Sequence, residues 1–234
     1  MKKVIVVTLF KRPTYTSRVL DWLGQCHGVE EYSILLHIEP GCHPVLDLAQ
    51  EFPHPGKVVV ENRALLGCTR NIYESLDHGF RHADFVIHFE DDVAPARDCL
   101  RYFEWARNRF EGEKDVFTVS AYQKSQVGPD RYYSARRVRW FNSWGWGTWH
   151  DRWLELRENW PFGASYSWDI GANRLRGDRC QIQPDLARSQ NIGAEDGAHC
   201  PSPEWHRDNH WNEFGAWSVP LDPIAKFTLA SEEE

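Results

Sequence analysis

The sequence predicts an α/β chain: a doubly wound mixed sheet with helices on both faces, forming one domain over residues 1–230 and a frayed tail at 231–234. Three observations lead there. Strand-length apolar runs rich in β-branched residues alternate with helix-spaced stretches through the first hundred positions, and such alternation builds parallel strands covered on both sides. The chain of 234 residues can bury a core of its own. It shows no internal repeat and no low-complexity linker that would divide it.

The elements follow in order. Residues 4–9 form a buried β-branched strand, and residues 15–23 a helix ended by Gly24. Residues 33–38 are a second strand, closed by Glu39-Pro40-Gly41, and residues 57–60 a third. Leu65, Thr69, Ile72, Tyr73, Leu76 and Phe80 recur at helical spacing, giving a long amphipathic helix. Residues 84–89 are a fourth strand, followed by a helix over 97–110. Beyond residue 115 the pattern loosens, with short strands near 116–120 and 136–140 and helices near 148–157 and 169–176. In a doubly wound sheet ligands bind beyond the carboxyl ends of the strands. The loops after Leu9, Ile38 and Phe89 therefore become the places to look.

Composition narrows the function classes. Apolar residues at 41% and charged residues at 26% are ordinary globular proportions that exclude disorder and collagen-like repetition. A formal charge of −7 removes the basic bulk needed for general nucleic-acid binding. Cys26, Cys42, Cys68, Cys99, Cys180 and Cys200 are scattered without a C-x-x-C pair, which argues against a cysteine-built zinc site. The apolar start ends in Lys11-Arg12-Pro13 without a small-residue cleavage site, unlike a signal peptide. No stretch reaches the roughly eighteen apolar residues of a spanning helix. The expectation is a reduced cytoplasmic chain. Tryptophan is over-used and bunches at Trp140, Trp144, Trp146, Trp149, Trp153, Trp160 and Trp168. Indoles both fill cores and present flat faces to sugars. Trp149 and Trp153, four apart, read as core residues on one helical face.

Glu90-Asp91-Asp92 carries the chemistry. Adjacent carboxylates at the end of a buried strand repel one another, and a cation or hydrogen-bond donors must offset that cost. Hard oxygen ligands favour Mg²⁺ or Mn²⁺, ions that take one or two protein carboxylates and complete their shell with water and phosphate. The same acids also read as a cap for the next helix, together with Pro95 and Asp98.

The apolar strand, Glu90-Asp91-Asp92 and Val93-Ala94-Pro95 resemble the aspartate motif of GT-A glycosyltransferases, which use nucleotide-sugar donors. The resemblance is strongest to eukaryotic N-acetylglucosaminyltransferase I and to a group of bacterial glycosyltransferases. Val119-Ser120-Ala121-Tyr122 looks like the next strand of that family. Asn142-Ser143-Trp144-Gly145-Trp146-Gly147-Thr148-Trp149, with Asp151-Arg152-Trp153, is similar to the bacterial Trp-Gly-Trp signature. Gln183-Pro184-Asp185, Asn191-Ile192-Gly193, Asp196-Gly197 and His199 resemble its later segment, so the likeness covers about residues 4–205.

The resemblance implies a Rossmann-like GT-A fold with a nucleotide-binding half over about 1–112 and an acceptor half over about 113–217. It implies inverting, metal-dependent transfer of a sugar from a nucleotide donor, UDP by preference, to a hydroxyl of a glycan or glycolipid. GlcNAc is the nearest sugar in the family. Asp92 would ligate Mn²⁺ or Mg²⁺, with His199 completing the shell. Glu90 and Asp91 would contact the donor or metal-bound water. Arg12 would sit near the nucleotide, Glu39 would accept from the base, and Arg70 with Asn71 would face the donor. Asp169, in Tyr166-Ser167-Trp168-Asp169-Ile170, would be the base, although the eukaryotic enzymes have two successive aspartates there. Asp151 and Glu155 are fallback carboxylates. Trp144, Gly145 and Trp146 would wall a sugar pocket. His206 and His210 read as incidental surface residues. Two other classes stay open: a non-catalytic carbohydrate-binding protein, and a sugar-nucleotidyltransferase, whose glycine-rich loop Thr8-Leu9-Phe10-Lys11-Arg12-Pro13 lacks. The aromatic, arginine-rich later third leaves peripheral membrane contact open as well.

Overall fold

A computed structural model describes residues 2–195 and 200–230. Strands β1 (Lys3–Leu9), β2 (Tyr32–Ile38), β3 (Lys57–Glu61) and β4 (Phe85–Glu90) are parallel, as the apolar runs imply. They alternate with helices α1 (Pro13–Gly24), α2 (His43–Glu51) and α3 (Cys68–Phe80). Proline opens α1 and α2, where a missing N–H costs nothing. Helix α2 is not legible in the apolar spacing, because Pro40 and Pro44 flank its start and mask its Val45–Ala49 apolar pair.

Next come β5 (Val93–Pro95), α4 (Cys99–Phe110), β6 (Val116–Ser120), β7 (Ser134–Val138) and β8 (Trp146–Trp149). Helices α5 (His150–Glu158) and α6 (Trp168–Arg176) follow. Strands β9 (Cys180–Pro184) and β10 (Ser189–Asn191), helix α7 (Pro203–Asn209) and strand β11 (Thr228–Leu229) complete the chain. Nine strands join in the order β11-β7-β9-β6-β8-β4-β1-β2-β3, and β5 pairs antiparallel with β10 in a separate ribbon. The sheet is mixed because β8 runs antiparallel between β4 and β6.

Strand β8 corrects the reading of a helix from Thr148. All four of its residues are buried, and a Cβ on Gly147 would come 2.7 Å from the Phe85 ring and 3.0 Å from the Val86 carbonyl oxygen. Glycine is what lets the strand enter. Trp149 and Trp153 consequently part company: Trp149 packs with Phe85 on one face of the sheet, and Trp153 with Phe80 and Trp160 on the other.

Period-two alternation divides the core. Ile5, Val7, Leu9, Ile34, Leu36, Ile38, Phe85, Ile87 and Phe89 pack toward α1, α2 and α4. Val4, Val6, Leu35, Val86 and Trp146 pack toward α3, α5 and α6. The second face also holds a polar column. The Trp146 indole N–H donates to His88 Nδ1 at 3.1 Å, leaving Nε2–H to donate to Thr8 Oγ1 at 3.1 Å. His88 is fully buried, and burial pushes its imidazole down to about 3. Asp98 does not cap α4 with its side chain. It is wholly buried against Arg188 at 3.2 Å, and the same guanidinium donates to the Leu186 and Tyr132 carbonyls. Six free cysteines are present, at the positions given above. No helix among the described residues is long and apolar enough to cross a membrane.

Candidate active site

The site forms where strand order reverses. Strands β1 and β4 lie side by side in parallel register, Thr8 opposite Glu90, while the chain proceeds from β1 outward to β2 and β3. This is the switch point at which α/β sheets bind ligands. The loop after β1 thus meets the acidic strand end. Arg12 Nε lies 3.2 Å from Asp91 Oδ2, its Nη2 also contacts Asp91 Oδ1, and Nη1 lies 3.0 Å from Asp92 Oδ2. The Phe10 N–H adds a 3.3 Å bond to Asp91. Burial by itself would lower Arg12, and the charges of Asp92 and Asp91 override it and keep the guanidinium protonated.

Alternation sends Glu90 to the same face as His88, toward α3 and α6. Lost hydration, then repulsion from Asp92 and Asp91, pushes Glu90 up to about 8. Asp91 rises to about 6 through burial and Asp92, against the pull of Arg12. Asp169 sits in the first turn of α6, and its charge also raises Glu90. Cys68, at the start of α3, marks where these groups converge. Its thiol is pushed up to about 12 by lost hydration and by Glu90, Asp92, Asp169 and Asp91 in turn. Nothing in the spacing of the sequence singled out Cys68.

The opposite wall comes from the β5–β10 ribbon. The Ile192 N–H donates to the Asp92 carbonyl at 2.7 Å. A Cβ on Gly193 would come 2.9 Å from Asp92 Cβ and Cγ, and closer still to Oδ2. Asn191 Oδ1 accepts from the Gly193 N–H at 3.1 Å and lies 2.8 Å from His206 Nε2. His206 is buried, not incidental: burial lowers it, while the charge of Asp92 acts on both it and His210 in the raising direction. The i, i+4 spacing of His206 and His210, at the end of α7, is the signal in the sequence.

The other expected site residues divide. Glu39 is buried at the end of β2; Oε2 accepts the Leu66 N–H at 2.9 Å, and Oε1 has no partner. Trp144 is half-buried, edge-on to Tyr122 and His210 at centroid distances of 4.7 and 4.4 Å. Trp146 is a correction. Its indole is fully buried against Phe141, His88 and Trp168, because β8 turns it under the sheet, so it walls no pocket. Gly145 has φ +75°, and a Cβ there would meet the Phe89 ring at 2.9 Å and Ser189 at 3.1 Å. Its smallness serves packing. Arg70 is 60% exposed, 3.6 Å from Glu74, and lines a cavity with Asn62, Leu66 and His78. Asn71 instead turns inward to Asn62. Asp151 pairs with Lys114 and Arg152, and Glu155 with Arg179. His199 lies outside the described residues.

Among the described residues, no three His, Cys, Asp or Glu side chains form a closed metal cage. An Mg²⁺-like ion does not need one, since a single carboxylate plus donor phosphates and water can hold it. The repulsion that lifts Glu90 and Asp91 is what such an ion would relieve, favouring their ionised forms. The residues fit.

The GNT-I family matches residues 61–202, well over half of the chain. The chain belongs to the GNT-I family. Membership places it among glycosyltransferases of GT-A fold, and solved structures share that fold. A mannosyltransferase from Pyrobaculum calidifontis, determined with GDP-Man and Mn²⁺, is 17% identical with a TM-score of 0.58, covering 85% of this chain and 59% of its own. TarS from S. aureus is 10% identical with a TM-score of 0.62, covering 81% of this chain and 36% of its own. TarS 1–349 with UDP-GlcNAc is 12% identical with a TM-score of 0.60, covering 81% and 58%. The chain thus spans less than two thirds of each neighbour's length. No curated protein matches it.

Proposed function

We propose that this GNT-I family member transfers a sugar, with inversion, from a UDP-linked donor to a hydroxyl of a glycan or glycolipid, assisted by Mn²⁺ or Mg²⁺. The observation that carries this reading is the convergence of Arg12, Glu90, Asp91, Asp92 and Asp169 at the switch point of the sheet. The mannosyltransferase neighbour holds a nucleotide sugar with Mn²⁺, and TarS holds UDP-GlcNAc. Asp92, pressed by Gly193 and backed by the Asn191–His206 pair, is the residue to hold the ion; bound there, the ion would neutralise the departing diphosphate. The half-paired Glu39 carboxylate is suited to accept the base N–H, because its free oxygen is buried without a donor. Asp169 takes the proton of the attacking hydroxyl. Arg12 fixes the rotamers of Asp91 and Asp92 and keeps their like charges tolerable. A purely carbohydrate-binding role keeps only Trp140 and Trp144 of the cluster, since Trp146, Trp149, Trp153, Trp160 and Trp168 are all core residues.

The test is release of UDP from a panel of UDP-sugars with Mn²⁺ present. Asp92→Asn should lower turnover by at least about a hundredfold while the far-UV spectrum and thermal midpoint stay near wild type. Full metal-dependent turnover by that variant would reject the assignment.

A further inference from the structure

Beyond Asp92 the β5–β10 wall continues into a run of aromatic rings that donor binding leaves unused. Tyr122 lies two residues past the carboxyl end of β6, and its ring stands edge-on to Trp144. Trp144 meets the His210 ring at a centroid distance of 4.4 Å, and His210 meets Trp205 at 4.5 Å. The two indoles make angles of 67° and 80° with the imidazole they share, so the rings form an angled wall and not a stack. Polar bonds fix the wall from behind. The Tyr122 hydroxyl donates to the His210 carbonyl at 2.7 Å, Asn212 Nδ2 to the Gln123 carbonyl at 2.8 Å, and Lys124 Nζ to the Asp208 carbonyl at 2.5 Å. Trp144 and His210 are half-buried, and Trp205 is 37% exposed.

Position says what covers these rings. His206, one turn before His210, bonds to Asn191 Oδ1, which accepts the Gly193 N–H beside Asp92. One hydrogen-bonded chain thus joins the wall to the acidic cluster. In the sheet order β6-β8-β4-β1-β2, Tyr122 follows β6, whereas Arg12 and Glu39 follow β1 and β2. The acids after β4 therefore stand between the nucleotide end and the rings. A diphosphate held at Asp92 with its base toward Glu39 sends its sugar toward the wall, where the attacking hydroxyl must also arrive. The wall carries no formal charge of its own: burial lowers His210, and the Lys124 ammonium is committed to the Asp208 carbonyl. Flat, neutral indole faces suit a ring with an apolar C–H face and a hydroxyl edge, which is a pyranose. We propose that Trp205, with Trp144 and His210, seats the acceptor and that the acceptor is the pyranose end of a glycan. Its role as acceptor rests on the transferase reading; the sugar seat stands on the rings alone.

The full chain is mixed, without nucleotide, with the methyl pyranosides of glucose, galactose, mannose and N-acetylglucosamine, and with open-chain ribitol. Saturation-transfer NMR reads binding, and UDP binding is measured in parallel. Wild type should saturate the ring protons of at least one pyranoside and not those of ribitol. Trp205→Leu should lose at least about tenfold in pyranoside affinity, whereas Trp205→Phe, which keeps a flat face, should stay within a few fold. UDP binding should be unchanged in both. In turnover, Trp205→Leu should raise the KM for that pyranoside as acceptor by about tenfold and leave the donor KM unchanged. No pyranoside saturation in wild type, equal affinity of wild type and Trp205→Leu, or ribitol bound as well as the pyranosides would each overturn the proposal. So would loss of UDP binding together with pyranoside binding in Trp205→Leu, which would make Trp205 a donor or structural residue. Wild type that binds a pyranoside through Trp205 but no UDP would reject the transferase reading and keep the sugar seat.

Discussion

A methyl group at position 193 has no room, because Asp92 already occupies the space where it would project. The side chain that gives way would be Asp92, whose backbone is pinned by the Ile192 N–H while its carboxylate is held by Arg12. Gly193→Ala should therefore reduce metal-dependent UDP release by about tenfold or more, since misplacement of this size is costly at a reacting centre. Stability should fall by about 1–3 kcal/mol, the usual range for overpacking. Mn²⁺ titration of activity checks it: wild-type metal dependence in the alanine variant would remove Gly193 from the site. At this scale the sequence exposed what charge alone can show. Three successive acids after an apolar strand are legible because their repulsion needs a partner. Gly193 and Cys68 are not, because their roles rest on contacts across the fold. Trp146 misled for a related reason: an indole beside two glycines looks like a sugar platform until strand pairing decides which side of the sheet it occupies.

At the scale of elements, α6 places Asp169 by anchoring the residue before it. Trp168 stacks on Trp160 at 5.5 Å and lies edge-on to Phe141 and His88, which fixes the first turn of the helix over the end of β4. With the helix so held, Asp169→Asn removes a proton acceptor and little else. The expected result is a fall in kcat by about 10²–10⁴ with donor KM within a few fold and the thermal midpoint unchanged. A fall in donor affinity with kcat retained would make Asp169 a donor contact. The first four strands and helices α1, α3 and α4 were readable because apolar runs and helical spacing report burial directly. The β8 strand was not, since a run of Trp-Gly-Trp has no period and its identity depends on β4 and β6 flanking it. The three-residue ribbon of β5 and β10 escaped for lack of length.

Across the whole molecule, pH acts on two opposing sets of buried groups. His88 and His37 are held neutral, lowered by burial from 6.5 to about 3 and about 4. Between those values and 6.5 the unfolded chain binds protons the native chain refuses, so their contribution is complete above pH 6.5 and is lost on acidification. Glu90 and Asp91 act the other way. Raised from 4.5 to about 8 and from 3.8 to about 6, they bind protons in the native chain that the unfolded chain has released. Their contribution is complete in acid and is lost as pH rises through those higher values. The sum over pH 4–6 partly cancels, so a raw stability profile does not separate them, whereas a difference profile does. His88→Gln leaves the acids in place and removes one neutral imidazole whose nitrogens are both committed, to Trp146 and Thr8. Urea unfolding of wild type and His88→Gln should show wild type the more stable at pH 7. That advantage should shrink below pH 6.5 by up to about 1.4 kcal/mol per pH unit, the limit for one proton. Parallel profiles from pH 7 to pH 4.5 would mean that His88 is protonated in the folded chain, and that the hydrogen-bonded column beneath the acidic cluster is wrongly drawn.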